Sequence, residues 1–352
     1  MAPTDIATEN KLLTILFVLT MDYSNNLNIH LIEKIKNLTN HQKKFNKMMY
    51  KTEKDKAGII EVPYKLGSTA ITCARTRAYY TNMPYAQDIL NDVTSGSQDS
   101  FSEFWHNFLR RAVHIFPNLM TRAAILEGRY ISTSEAIARV GGCCFLEYGA
   151  GLSQRSLEYA VEGVFYMETD QPEVISAKQR VVEKIRDKEG KNLAPGHHFF
   201  SLNPVNREDL RWAGQLYGSQ VNRNPLVILH EGLLEWQTKE EQIKIRDNNR
   251  EFLKEYSPNG VWISPDFTFT TKDNFVMRMI MQKMQRDTNR ELTVFESDEE
   301  IQDFLSDGGF KGEKIPNEHL IGNLTCIDKI GISERKVREL SKYFQAYYIT
   351  LK

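Results

Sequence analysis

The sequence predicts an α/β protein, with a doubly wound, mostly parallel sheet behind a helical N-terminal cap and an antiparallel hairpin at the C-terminal end. Three observations predict it. Short apolar runs at Cys143–Tyr148, Gly163–Thr169, His198–Leu202, Leu226–His230 and Val261–Ser264 alternate with helical or turn segments, the pattern of a parallel sheet covered on both faces. The first run ends directly on Gly149-Ala150-Gly151, a turn placed where a strand hands over to a helix. Before about Leu126, apolar residues recur at three- and four-residue intervals, as in Ile29–Ile35 and Phe101–Val113, which is the helical period. The expected division is a cap over residues 1–135 and a sheet-bearing core over residues 136–352.

Taken in order, the apolar run Leu12–Leu19 is too short to span a bilayer and reads as a buried helix. Lys43–Lys56 is lysine-rich and reads as a solvated helix face or connector. In the core, Thr238-x-x-Glu241 is a capping box that starts a helix running to about Tyr256, where Ser257-Pro258-Asn259-Gly260 stops it. Two late apolar runs, Leu324–Ile327 and Tyr347–Leu351, are expected to pair as the terminal hairpin. No repeat or low-complexity tract interrupts this order.

Composition narrows the function classes. The 352 residues carry 45 basic against 46 acidic side chains, so no electrostatic footprint for nucleic acid is present. Cys73, Cys143, Cys144 and Cys326 lack both C-x-x-C spacing and disulfide-scaffold density, and read as reduced thiols in a cytoplasmic protein. A small-molecule or protein substrate is the expected partner, with no membrane span, and the chain is expected to be a monomer or a homodimer.

The glycine turn carries the chemistry. Asp170 follows Gly151 by nineteen residues, the interval at which a strand-end carboxylate accepts ribose hydroxyls while the glycines let backbone approach a ligand. Gln154 stands where a dinucleotide fingerprint needs a small residue, which argues against a pyrophosphate. S-adenosylmethionine, with ribose and adenine but no phosphate, fits the remaining pattern. The same three letters also arise at strand–helix junctions that bind nothing, so they decide little alone.

Several blocks together resemble the leucine carboxyl methyltransferase family, which includes the tetracenomycin-type polyketide O-methyltransferases. They are Gly67-Ser68-Thr69-Ala70 through Arg75-x-Arg77-Ala78, Arg122, Leu146-Glu147-Tyr148-Gly149-Ala150-Gly151-Leu152, Glu168-Thr169-Asp170-Gln171-Pro172-Glu173-Val174-Ile175, and His230-Glu231-Gly232-Leu233-Leu234-Glu235-Trp236. The resemblance covers roughly residues 64–312. It implies a class I methyltransferase with a seven-stranded Rossmann-like sheet, S-adenosylmethionine as donor and S-adenosylhomocysteine as product. It places Arg122 and Arg77 near the methionine carboxylate, Gly149, Ala150 and Gly151 at the cofactor backbone, Asp170 on the ribose and Glu231 beneath the sulfonium. The acceptor it implies is a carboxyl or hydroxyl oxygen of a small natural product, polyketide or peptide-like. The carboxyl terminus of a protein is the alternative acceptor, and a non-catalytic binding protein on the same fold is the alternative from outside enzymes.

Two departures from the family stand out. An aspartate-leucine pair often follows its third strand; here Asn203-Pro204 does, and the asparagine carbonyl can still accept from the adenine amine. Trp236 replaces a tyrosine and, with Tyr80, is expected to border the acceptor pocket. His230 is the candidate base if the acceptor is a hydroxyl, although its place in an apolar strand suits a hydrogen-bonded structural histidine better. His197 and His198 are the other histidines expected near strand ends, and without a third ligand no metal is expected. Glu147, an acid inside an apolar strand, is expected to bond the amides that shape the glycine turn.

Overall fold

The computed structural model describes residues 64–93, 117–142, 144–219, 224–267 and 290–352, with single positions 278, 281, 282 and 285 between the last two spans. The expectations on Leu12–Leu19, Ile29–Ile35, Lys43–Lys56, Phe101–Val113 and Cys143 lie outside the described residues.

Among them run, in order, helices α1 (Tyr64–Tyr80), α2 (Ala86–Val93) and α3 (Pro117–Val140), then β1 (Cys144–Tyr148), α4 (Arg155–Tyr159), β2 (Tyr166–Asp170), α5 (Pro172–Lys188), β3 (His197–Ser201), α6 (Arg207–Gly218), β4 (Leu226–His230), α7 (Lys239–Tyr256), β5 (Val261–Ser264), α8 (Asp298–Asp307), β6 (Phe310–Lys314), α9 (Cys326–Ile330), α10 (Glu334–Leu340) and β7 (Tyr347–Leu351). The seven strands form one sheet in the order β3-β2-β1-β4-β5-β7-β6. The first five are parallel, and β7 runs antiparallel to both β5 and β6. This is the doubly wound sheet that the alternation predicts. No described helix is long and apolar enough to cross a membrane.

The central strands β1, β4 and β5 are largely apolar runs because both faces are covered. Leu146, Tyr148, Met167, Ile228 and Trp262 pack on one face, and Phe145, Tyr166, Val227, Leu229 and Ile263 on the other. Each such side chain contributes about 1.5–3 kcal/mol on burial. Helix starts follow local chemistry. Pro172 sits in the first turn of α5 behind extended Gln171, Asn206 accepts from Glu208 N–H at the head of α6, and the Thr238–Glu241 capping box opens α7 as expected.

The hairpin is real but differs in one strand. Tyr347–Leu351 pairs with Phe310–Lys314, not with Leu324–Ile327. The latter segment turns into α9, because the Glu127 carboxylate on α3 takes the Thr325 and Cys326 N–H groups at 2.8 and 2.9 Å. Beside it, the Phe344 ring approaches so closely that a Cβ at Gly128 would lie 2.4 Å from Cγ. Helix α1 reaches the carboxyl end of the sheet through Arg77, whereas α2 lies along α5, its Asp92 paired with Lys184 and Lys188. Ala74 and Ala78 of α1 and Leu90 of α2 share a cluster with Leu152 and with Val181 of α5.

Candidate cofactor site at the carboxyl end of the sheet

Strand order reverses between β1 and β4, and ligands in open α/β sheets bind in the crevice beyond such a switch point. Tyr148 and His230 pair there as the strands end, so Gly149 and Glu231 leave the sheet on adjacent strands. Gly149 and Gly151 adopt φ of +60° and +50°, a region costly for side-chain-bearing residues. The turn is latched to β2. Asp170 Oδ2 accepts from Gly151 N–H and Oδ1 from Gln171 N–H, both at 2.7 Å, and Ala150 N–H donates to the Thr169 carbonyl at 2.9 Å. Burial raises the Asp170 carboxyl above its usual range, against the pull of those two donors. Each carboxylate oxygen keeps a second lone-pair direction for a ligand hydroxyl.

Across the crevice, Glu231 lies between two guanidiniums. Arg77 Nη2 of α1 donates to Oε1 at 2.7 Å, and Arg155 Nη2 of α4 to Oε2 at 3.4 Å. Arg155 is wholly buried, donates through Nη1 to Ser134 Oγ at 3.1 Å, and rests 4.4 Å above the Tyr130 ring. The Nε atoms of Arg77 and Arg155 are buried without a hydrogen-bond partner, as are both amide atoms of Gln154. Two buried cations share the Glu231 carboxylate, and the Arg155 charge also acts on the buried Glu147 carboxyl. Arg77 and Arg122 are the residues expected here; Arg77 is in place, but Arg122 is half-buried on α3 and is not among the partners of Glu231. The second guanidinium on Glu231 is that of Arg155. Its signal in the sequence is a cation four residues after Gly151, at the head of the helix that follows the glycine turn.

The loop after β4 is held from beneath. Asp266, just past β5, accepts from Gly232 N–H through Oδ1 at 2.7 Å and from Leu233 and Leu234 N–H through Oδ2 at 2.8 and 3.0 Å. His230 Nδ1 meets the same Oδ2 at 2.8 Å, and Trp262 Nε1 donates to His230 Nε2 at 2.9 Å. Nε2 is therefore the acceptor and Nδ1 carries the proton, so neither nitrogen has a lone pair free for a substrate proton. Arg129 of α3 pairs with Glu235 at 3.0 Å and with Asp266 at 3.6 Å, and its Nε donates to the Tyr343 carbonyl. Burial would raise the Asp266 carboxyl, but His230, Arg129 and the Gly232 amide overcome it and hold it well below the usual carboxylate range.

Other expectations find different surroundings. The Glu147 side chain bonds no loop amide. Its Oε2 accepts from Tyr166 Oη at 2.7 Å, and it lies in register beside Glu168. Glu168 pairs with Lys178 and with His197 Nε2, each at 2.8 Å. Lys178 Nζ also donates to the Ser153 carbonyl, tying this buried cluster to the glycine loop. Burial, then the Glu168 charge, pushes Glu147 up to about 7. Burial would also raise Glu168, but Lys178 and His197 draw it down instead. His197 and His198 open β3, at the end of the sheet opposite the crevice.

Asn203 is exposed, and its Oδ1 accepts from Val205 N–H at 3.1 Å, so the carbonyl expected at the adenine also shapes its own turn. Trp236 is half-buried at the end of the 3₁₀ turn Leu234–Trp236. Tyr80 is buried in an apolar cluster with Ala123, Leu324 and Phe344, and burial, then Tyr79, pushes its hydroxyl up to about 12.

No family profile and no curated protein sequence matches the chain. Among solved structures it is similar to a DUF574 family protein from Streptomyces avermitilis, at 12% identity and a TM-score of 0.47, over 79% of this chain and 96% of that one. It is also similar to the mitomycin 7-O-methyltransferase MmcR, at 12% identity and a TM-score of 0.42, over 82% and 74%. A third is the magnesium protoporphyrin IX methyltransferase ChlM from Synechocystis PCC 6803 with bound SAH, at 11% identity and a TM-score of 0.38, over 65% and 84%.

Proposed function

We propose that the chain is an S-adenosylmethionine-dependent methyltransferase acting on an oxygen of a small molecule. One observation carries the reading: the glycine turn latched on Asp170 stands across the switch point from Glu231, which is gripped by Arg77 and Arg155. In this reading Asp170 holds the ribose hydroxyls, and the backbone of Gly149, Ala150 and Gly151 lies along the ligand. The orphaned Nε atoms of Arg77 and Arg155 take the methionine carboxylate, a planar anion that suits a guanidinium fork. Glu231 faces the positive sulfur, and Asn203 lies toward the adenine. Of the family's implied contacts, Arg122 gives way to Arg155.

When bound, S-adenosylmethionine supplies an electrophilic methyl group for in-line displacement. The protein's part is to align donor and acceptor and to exclude water. With both His230 nitrogens engaged, this residue positions the loop and removes no proton. An acceptor already ionised at pH 7, a carboxylate, needs no base, so a carboxyl group on a small natural product is the favoured acceptor, with Trp236 on the pocket wall.

Calorimetric titration with S-adenosylmethionine and S-adenosylhomocysteine tests the reading. Micromolar binding of both, followed by methyl transfer to a panel of small carboxylic acids, is the expected result. Binding with no transfer to any oxygen acceptor points to a non-catalytic protein on this fold, and failure to bind either ligand rejects the proposal.

A further inference from the structure

The loop that carries Glu231 owes its shape to a residue on another strand. Between Glu231 and the 3₁₀ turn at Leu234–Trp236 the chain has no strand or helix partner of its own. Gly232 takes φ +75°, a left-handed bend that leaves successive N–H groups converging on one side. They converge on Asp266, whose carboxylate receives Gly232, Leu233 and Leu234 N–H and His230 Nδ1–H, and lies 3.6 Å from the Arg129 guanidinium. A carboxylate offers about four lone-pair positions, so this one is saturated by the protein. It is 2% exposed, and its bonds are spent on holding the chain.

We infer that Asp266 is the positioning residue for Glu231, fixing the loop so that the Glu231 carboxylate meets the ligand's positive sulfur while Arg77 and Arg155 hold it from either side. The inference rests on the methyltransferase reading and deepens it. Its physical basis is charge assistance: three amides that would otherwise lack a protein partner at a part-buried turn are bound to an anion, which makes stronger bonds than a neutral acceptor. The His230–Trp262 contact extends the hold into the core, because Trp262 is fully buried and donates to the ring that donates to Asp266. His230 thereby acts through Asp266, and Asp266 through the loop.

A purely structural role and a positioning role separate on one readout. S-adenosylmethionine and S-adenosylhomocysteine share adenine, ribose and amino acid, and differ in the charge on sulfur. Misplacing Glu231 weakens the charged ligand more than the neutral one, whereas a general loosening of the site weakens both alike. In Asp266→Asn, which keeps the size but points N–H groups at N–H groups, the affinity for S-adenosylmethionine is expected to fall on the order of tenfold more than that for S-adenosylhomocysteine. Equal loss for the two ligands, or no loss, overturns the positioning role and leaves the methyltransferase reading standing. Failure of the wild-type protein to bind either ligand overturns that reading and this role with it. A second measurement does not depend on the variant folding: hydrogen exchange on the ligand-free wild type. The amides of Gly232, Leu233 and Leu234 are expected to be protected before any ligand is added, and rapid exchange there overturns the inference.

Discussion

Gly151 N–H and the Asp170 carboxylate are joined by a 2.7 Å hydrogen bond, so the turn that would admit a ligand and the carboxylate that would grip it are one unit. Asp170→Ala therefore does two things at once. It removes the acceptor for ribose hydroxyls, and it strands the N–H groups of Gly151 and Gln171. The expected outcome is loss of S-adenosylhomocysteine affinity on the order of a hundredfold, with folding stability lower by about 1–3 kcal/mol. Asp170→Asn keeps one acceptor oxygen and sets its amide N–H₂ against the other N–H group, so it should recover only part of the stability and little of the affinity. Titration calorimetry and thermal unfolding on the two variants check both parts, and unchanged affinity in Asp170→Ala removes the ribose from the account.

Arg155 offers a test of ligand polarity. Its guanidinium is buried against Tyr130 and Glu231, and in the proposed site it answers the amino-acid carboxylate. Arg155→Met is expected to weaken S-adenosylhomocysteine on the order of tenfold or more, while 5′-methylthioadenosine, which lacks that carboxylate, changes by about twofold or less. Competition binding with the two ligands reads this directly. Equal weakening would assign Arg155 to packing alone. Arg155→Lys should behave more like the methionine variant than the wild type, because an ammonium cannot reproduce the fork that reaches both Ser134 and Glu231.

The contrast between Arg155 and the strands explains what the chain reveals without a structure. The runs at Leu226–His230 and Val261–Ser264 coincide with β4 and β5, because strands buried on both faces must be apolar throughout. β6, Phe-Lys-Gly-Glu-Lys, carries charges on an edge strand and so lacks that signature. The glycine turn and Asp170 are legible because their interval is local. Asp266 and Arg129 are not, since Asp266 acts on a loop 32–34 residues earlier and Arg129 on a glutamate 106 residues later. His230 could be read either as a base or as a structural histidine. Only Asp266 and the Trp262 indole, brought in from β5 and just beyond it, show that both of its nitrogens are engaged.

Glu147 predicts a pH dependence of stability. Its carboxyl is pushed up to about 7 in the folded chain, against about 4.3 when unfolded. Between those values the folded state holds a proton that the unfolded state has lost, so stability falls as pH rises from about 4.3 to about 7 and is level above that. By that difference the size is on the order of 3 kcal/mol. Glu168 has the opposite sign and acts at lower pH, where its depressed carboxyl loses its ion pair as the medium turns acid. Glu147→Gln should flatten the fall between pH 5 and 7, as read by urea unfolding at each pH. A wild-type profile already flat in that window would mean that Glu147 is ionised in the folded protein.

Gly128 and Phe344 test how tightly the C-terminal segment is clasped to α3. A methyl group at position 128 would lie 2.4 to 2.7 Å from three atoms of the Phe344 ring. The ring is fully buried and cannot swing into solvent. Gly128→Ala gains helix propensity worth up to about 1 kcal/mol, but overpacking of this kind costs about 1–3 kcal/mol, so net destabilisation is expected. Because Arg129 is the next residue and reaches both Tyr343 and Glu235, the strain should pass to the Glu231 loop, and ligand affinity should fall along with stability. Phe344→Leu in the same chain opens the space. The double variant is expected to be more stable than the sum of the two single effects, the non-additivity that direct contact produces. Additive effects would show that α3 and the C-terminal segment separate at this point without cost.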